Sequence, residues 1–264
     1  MTNYLIDTHA HINFSLSENG EINNSDSQIQ DILAEMAENN VKKVIIPSVD
    51  INTMDRVVEI SEKFKNVYSM LGIFPTEAKT YTDEVEEKII NLSKNKKVVA
   101  IGEVGLDYYW DKKNAEIQKK VFIKQIKLAN KLNLPLVIHD REAHKDCFDI
   151  IKEYYEGEKV LFHCFSGSPE FMKECVKQGW YIAIGGVVTF KNALKMKEVA
   201  KEVPLEKLVL ETDSPYLTPV PFRGKPNKPS YVKYAAKEIA KIKGVNIEEI
   251  TLSTTHNAEE FFGI

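Results

Sequence analysis

Cysteine is scarce in this chain of 264 residues: Cys147, Cys164 and Cys175 are the only three, and none is spaced as Cys-x-x-Cys. An odd, scattered set argues against a disulfide framework and for a reducing, cytoplasmic setting. Long apolar runs are also missing, since no stretch approaches the roughly 18 residues of a membrane span. The start, Met1-Thr2-Asn3-Tyr4, lacks a basic segment followed by an apolar one, so neither export nor membrane insertion is expected. Nor is there an excess of positive charge. A formal net charge of −4 provides no global attraction for nucleic acid, so any phosphate binding must come from a local patch. No low-complexity segment or break in composition marks a boundary, and residues 1–264 are read as one domain.

What is present is alternation. With 43% hydrophobic residues the chain can bury a full core. Short β-branched runs fall at 4–6, 41–49, 67–73, 98–103, 134–138, 160–163, 181–185 and 208–210, several apolar at consecutive positions as in strands buried on both faces. Between them, apolar residues recur at three- and four-residue spacing over 28–38, 54–64, 115–132, 171–177 and 194–202. A Pro-rich stretch, 215–229, precedes two more such patterns at 231–242 and 247–262. Eight βα units in a chain of this length predict an α/β TIM barrel, (β/α)₈, with a doubly wound open sheet as the competing topology.

In a barrel, chemistry sits where the strands end. The first run leads into Asp7-Thr8-His9-Ala10-His11, whose alternate residues share a face if the chain stays extended. The fourth run ends at Glu103, the fifth at His139, the sixth at His163, and Asp213 follows the eighth, so four of the chain's six histidines lie at one rim. One such histidine reads as a core residue satisfied by a backbone group; four together with two carboxylates do not. This set exceeds the needs of one tetrahedral ion and suits two ions roughly 3.5–4 Å apart. Glu103, with two oxygens, is the natural bridge, with His9, His11 and Asp213 on one ion and His139 and His163 on the other. Mixed nitrogen and oxygen donors favour Zn²⁺, Mn²⁺, Fe²⁺, Co²⁺ or Ni²⁺ over Ca²⁺, while Mg²⁺ prefers fewer imidazoles.

These motifs resemble those of the TatD family of metal-dependent hydrolases, a branch of the amidohydrolase-like barrels associated with DNase activity. Five carry the likeness in order: Asp7-Thr8-His9-Ala10-His11, Gly102-Glu103-Val104-Gly105-Leu106-Asp107-Tyr108, His139-Asp140-Arg141-Glu142-Ala143, His163-Cys164-Phe165-Ser166-Gly167 and Thr212-Asp213-Ser214-Pro215-Tyr216-Leu217. The loop 219–227 and the ending 257–262 are similar as well. The resemblance implies a divalent-metal phosphodiesterase acting on DNA, commonly from the 3′ end and on single-stranded termini. His9, His11, Glu103, His139, His163 and Asp213 match its metal-site positions, and Asp213 and Glu103 its catalytic carboxylates. One departure stands out: where the family reads Gly-x-His-Pro-His, this chain reads Gly72-Ile73-Phe74-Pro75-Thr76. Phe74 removes a donor and proton source from beside the scissile phosphate.

Arg223 and Lys225, on the loop after the eighth strand, are candidates to clamp a phosphate, or else a solvated pair. Arg141 offers the same contact or a pairing with a nearby carboxylate. Tyr108, with Tyr109 and Trp110, follows Glu103 in a rim loop where aromatic faces stack on unpaired bases or pack beneath the loop. His144 is either a stand-in for the missing strand-three histidines or a helix-surface residue. Cys164 alternates away from His163 and is left out. Two other functions compete with the nuclease: the same two-metal site acting on a small ester, amide or phosphomonoester, which Phe74 would suit, and a metal-loaded binding protein without turnover.

Overall fold

The computed structural model describes residues 3–17 and 20–264. Its strands are β1 (Leu5–Asp7), β2 (Phe14–Ser17), β3 (Gly20–Asn23), β4 (Val41–Pro47), β5 (Val67–Leu71), β6 (Val98–Asp107), β7 (Leu136–Arg141), β8 (Val160–Phe162), β9 (Tyr181–Ile184) and β10 (Leu208–Leu210). Nine α-helices lie between and after them among the described residues: α1 (Asp26–Glu38), α2 (Ile51–Lys63), α3 (Asp83–Leu92), α4 (Ala115–Leu132), α5 (His144–Tyr154), α6 (Pro169–Lys177), α7 (Leu194–Glu202), α8 (Val232–Lys243) and α9 (Ile247–Phe262). Starts follow local chemistry: Ser25 with Gln28 and Asp50 with Thr53 form reciprocal caps at α1 and α2.

Eight strands form one parallel sheet in the order β1-β4-β5-β6-β7-β8-β9-β10. The segments that follow β1 and β10 then meet: Thr8 N donates to Leu210 O at 3.0 Å, Asp213 N to His9 O at 2.9 Å and His11 N to Ser214 O at 2.8 Å. The sheet is thereby drawn into a TIM-type barrel, which decides against the doubly wound alternative. The β2–β3 hairpin and helices α3 and α5 add to the sequence-based outline.

Strand residues alternate between two cores. Ile6, Ile45, Met70, Ala100, Val137, Leu161, Ala183 and Val209 fill the barrel interior, where Ala258, Phe261 and Phe262 of α9 join them. Leu5, Val44, Ile46, Leu71, Ile101, Leu136, Ile138, Phe162, Ile182 and Leu210 face the helices. Phe261 lies 5.3 Å from the Tyr181 ring, so α9 seals the end of the barrel at which the strands begin. Polar side chains are left to the opposite end.

Candidate metal centre

On β7, β8 and β10 the inward phase continues past the apolar layer without interruption. Val137 leads to His139, Leu161 to His163, and Val209 to Glu211 and Asp213, each two residues on. Two strands break phase. On β6, Ile101 and Val104 both face the helices although three residues apart, and the pairing with β7 shifts register between them. Strict alternation from Ala100 would turn Glu103 outward; the shift turns it inward, as bulges re-aim side chains elsewhere. On the β1 side, Ile6 points inward while Ala10 and Ile12 join the helix-facing core, which leaves His9 and His11 inside.

Glu103 is the hub. Its Oε2 lies 3.2 Å from His9 Nε2, and its Oε1 lies 2.7 Å from His139 Nδ1 and 2.8 Å from His163 Nε2. Asp213 Oδ1 stands 3.6 Å from His11 Nε2 and 3.9 Å from His9 Nε2. The rings of His9 and His163 stack at 3.8 Å, and His9 and His11 meet edge-on at 5.2 Å. Three donor groups result among the described residues, His9–His11–Glu103, Glu103–His139–His163 and His9–His163–Glu211, each with ligand atoms within 4.8 Å of one another, and the first two share Glu103.

Electrostatics follow from burial and proximity. Burial by itself would raise the Glu103 carboxyl, but His163 and His9 outweigh it and hold it well below the usual carboxylate range. His163, which burial would lower, is pushed well above the ordinary imidazole value by Glu103 and Glu211. His139 is raised in the same way by Asp107 and Glu103 against its burial. His9 is lowered, by burial and then by the charge of His163. Asp213 is lowered, burial being outweighed by its bond with His11 and the charges of His163 and His9. Both ring nitrogens of His9 and the Nδ1 of His11 are buried without a hydrogen-bond partner. Buried imidazoles aimed at an ionised carboxylate, with nitrogens left unbonded, are a donor set suited to a divalent cation.

The sequence profile of the family described as TatD related DNase matches residues 6–263. The chain belongs to the TatD family. It is 44% identical to the metal-dependent hydrolase YabD of Bacillus subtilis over 98% of this chain and 99% of YabD. A protein of Escherichia fergusonii named 3′-5′ ssDNA/RNA exonuclease TatD is 31% identical over 89% of this chain and 92% of its own length. The solved structure of YjjV, a TatD homologue of Escherichia coli K12, superposes with a TM-score of 0.92 at 28% identity, covering all of both chains. The protein is therefore a metal-dependent hydrolase on a TIM-type barrel.

Two carboxylates of this TatD-family hydrolase went unremarked in the sequence. Glu211 is fully buried; its Oε1 accepts from Cys164 N at 2.6 Å and its Oε2 lies 3.5 Å from His163 Nδ1. Asp107 Oδ2 lies 3.0 Å from His139 Nε2, while Oδ1 accepts from the amides of Tyr109 and Trp110 at 3.0 and 2.8 Å. Asp107 thereby holds the far nitrogen of an imidazole whose near nitrogen faces Glu103, while Glu211 faces the far nitrogen of His163 as an opposite charge without a hydrogen bond. Period-two counting back from Asp213 would have found Glu211, an acid directly after an apolar strand. Asp7, by contrast, does not share the direction of His9 and His11. Its carboxylate accepts from Thr212 N at 2.9 Å and Thr212 Oγ1 at 2.5 Å, tying β1 to the segment after β10.

The other candidates are distributed around the rim. Phe74 sets its ring edge-on to His139 at 4.5 Å. Tyr108 is half-buried and donates its hydroxyl to Asp146 at 2.6 Å. Arg141 is exposed, its guanidinium 4.1 Å from the centre of the Tyr109 ring rather than on a carboxylate. Arg223 and Lys225 are both exposed; Arg223 donates to Thr218 O at 2.9 Å and lies over Phe190 at 4.0 Å. His144 is turned to Asp140, at 2.7 Å, and stacks on Phe171. Among the described residues no helix is long and apolar enough to cross a membrane.

Proposed function

We propose that this hydrolase cleaves phosphodiester bonds of DNA, removing nucleotides from single-stranded 3′ ends, with two divalent ions held by His9, His11, Glu103, His139, His163 and Asp213. The observation that carries the reading is the sharing of Glu103 by two donor groups, with His9 at its Oε2 and His139 and His163 at its Oε1. The name of the Escherichia fergusonii relative supports the substrate class. Ions in such a site supply Lewis acidity toward a phosphoryl oxygen and toward water, and their identity is left among Zn²⁺, Mn²⁺, Mg²⁺, Co²⁺, Fe²⁺ and Ni²⁺. Asp213, unprotonated near neutral pH because its carboxyl is held low, accepts the proton of the attacking water. Glu103 keeps the two donor groups in one geometry, and Glu211 and Asp107 keep His163 and His139 facing it. Arg223 and Lys225 on the exposed loop after β10, with Arg141, meet the phosphate backbone, and Tyr108 braces the rim beneath it. Three free thiols fit a reducing compartment, and we place the enzyme in the cytoplasm.

A second reading has one observation in its favour. Phe74 covers the edge of His139 with an apolar ring, which suits a less charged ester, amide or phosphomonoester. The deciding experiment is release of nucleotides from 3′-labelled single-stranded DNA with Mg²⁺, Mn²⁺ or Zn²⁺, beside Asp213→Asn. Metal-dependent release by the wild type that is absent from the variant upholds the nuclease; intact DNA together with turnover of a small ester replaces it by the second reading.

A further inference from the structure

We propose that Tyr109, Trp110 and Arg141 form a stacking subsite for an unpaired nucleobase, one step along the strand from the phosphodiester at the metal centre. This deepens the phosphodiesterase reading above and rests on it. Trp110 is 68% exposed and Tyr109 52%, adjacent on the loop after β6. Trp180, the other tryptophan of the chain, is buried. Two large neighbouring rings left open to water at the mouth of a polar site mark a binding surface more than a packing one.

The rings are held rather than loose. They meet edge to face at 4.8 Å and 87°, making a corner in which a flat group can lie on one ring with its edge against the other. Arg141 braces that corner, 4.1 Å from the Tyr109 centroid and 5.4 Å from that of Trp110. It stands two residues beyond His139 on β7, hence on the same face of the strand.

The corner is also coupled to the metal centre. Asp107 accepts the amides of Tyr109 and Trp110 with one oxygen and meets His139 Nε2 with the other. One carboxylate thus fixes both the metal-facing imidazole and the backbone that carries the aromatic corner. Lys112 and Lys113, exposed just beyond, add positive charge to Arg141 and complement a phosphate backbone. Flat faces beside cations are the chemistry that recognises unpaired bases irrespective of sequence. Bases on deoxyribose and ribose strands offer the same kind of flat face, uracil lacking only the methyl group of thymine, so the subsite takes either.

The test is fluorescence anisotropy of labelled, cleavage-resistant phosphorothioate strands with the metal-loaded protein and its Trp110→Ala, Tyr109→Ala and Trp110→Phe variants. Trp110→Ala and Tyr109→Ala should each weaken binding of an oligothymidylate about 5- to 100-fold, with Trp110→Phe much closer to wild type. An abasic strand of equal length should bind the wild type more weakly and be indifferent to Trp110→Ala, and a ribo-oligomer should follow the deoxy one. If Trp110→Ala and Tyr109→Ala bind the oligothymidylate as the wild type does, the subsite is overturned while nucleotide release leaves the nuclease standing. If the wild type binds no strand and releases no nucleotide, both readings fall.

Discussion

Glu103 faces three imidazoles at once, and the consequences are read most directly by changing the groups behind them. Glu211 sits behind His163, its Oε2 3.5 Å from Nδ1, so Glu211→Gln should keep the fold and lower metal affinity about 10- to 100-fold, checked by calorimetric titration of the chelated protein. An unchanged affinity would make Glu211 a bystander. Phe74 offers the opposite experiment, since its ring already packs on His139. Phe74→His restores a donor and proton source at the mouth and should raise kcat on a phosphodiester about 10-fold or more with metal content unaltered. A fall in kcat would mean that the aromatic ring itself supports the site.

At the scale of elements, β6 sets the register on which the centre depends. Gly105 has a φ of +144°, and a Cβ there would lie 2.0 Å from His139 O. Gly105→Ala must push β7 away from β6, at a cost of at least roughly 2 kcal/mol, with His139 displaced from Glu103. Urea unfolding and metal titration would both register it. Helix α9 is joined to the barrel through Glu259, which accepts from Lys43 Nζ at 2.6 Å and from the Tyr4 hydroxyl. Burial would raise Glu259, but Lys43 and Tyr4 outweigh it and lower it; Lys43, lowered by burial, is raised on balance by Glu259. A carboxyl depressed in the fold contributes stability that is present above its unfolded value and lost as pH falls through the folded one. A raised lysine contributes stability that is present below its unfolded value and lost as pH rises through the folded one. Glu259→Gln should therefore cost about 1 kcal/mol near neutrality, shrinking below the ordinary glutamate value of 4.5 and again above the ordinary lysine value of 10.5. A penalty that stays constant with pH would show that the ion pair carries none of it.

For the whole molecule, the centre joins segments from distant parts of the chain, so an ion held there is a cross-brace of the barrel. His9 and Asp213 come from the two ends that close the ring, and His139 and His163 from its middle. Ligand binding to the folded state alone adds about 2.7 kcal/mol at a hundredfold excess over Kd. For a chain of this size that is roughly 5–10 °C in Tm. Melting after chelation and again after adding back Mn²⁺ or Zn²⁺ should show that loss and recovery, scaling with metal concentration; equal Tm values would separate the site from the fold.

Much of this was local and hence legible in the linear chain. Eight apolar runs alternating with amphipathic stretches determine a parallel βα sheet because burial on both faces leaves a period that neighbours alone dictate, whereas its closure into a barrel was decided by the bonds between the segments after β1 and β10. His139, His163 and Asp213 were readable as rim residues because their strands keep phase from the apolar layer to the end. Glu103 was read as a strand end although β6 runs on to Asp107, and its inward direction was decided by the register shift against β7, which depends on a partner strand. The direction of Asp7 was decided by Thr212, more than two hundred residues away in sequence. The bracing of His163 by Glu211, the grip of Asp107 on both His139 and the aromatic loop, and the seat of Phe74 against His139 likewise arise between strands. Pattern along the chain determined which residues reach the rim; pairing across the sheet alone decided where they point, because hydrogen-bond register and side-chain contact belong to two segments at once.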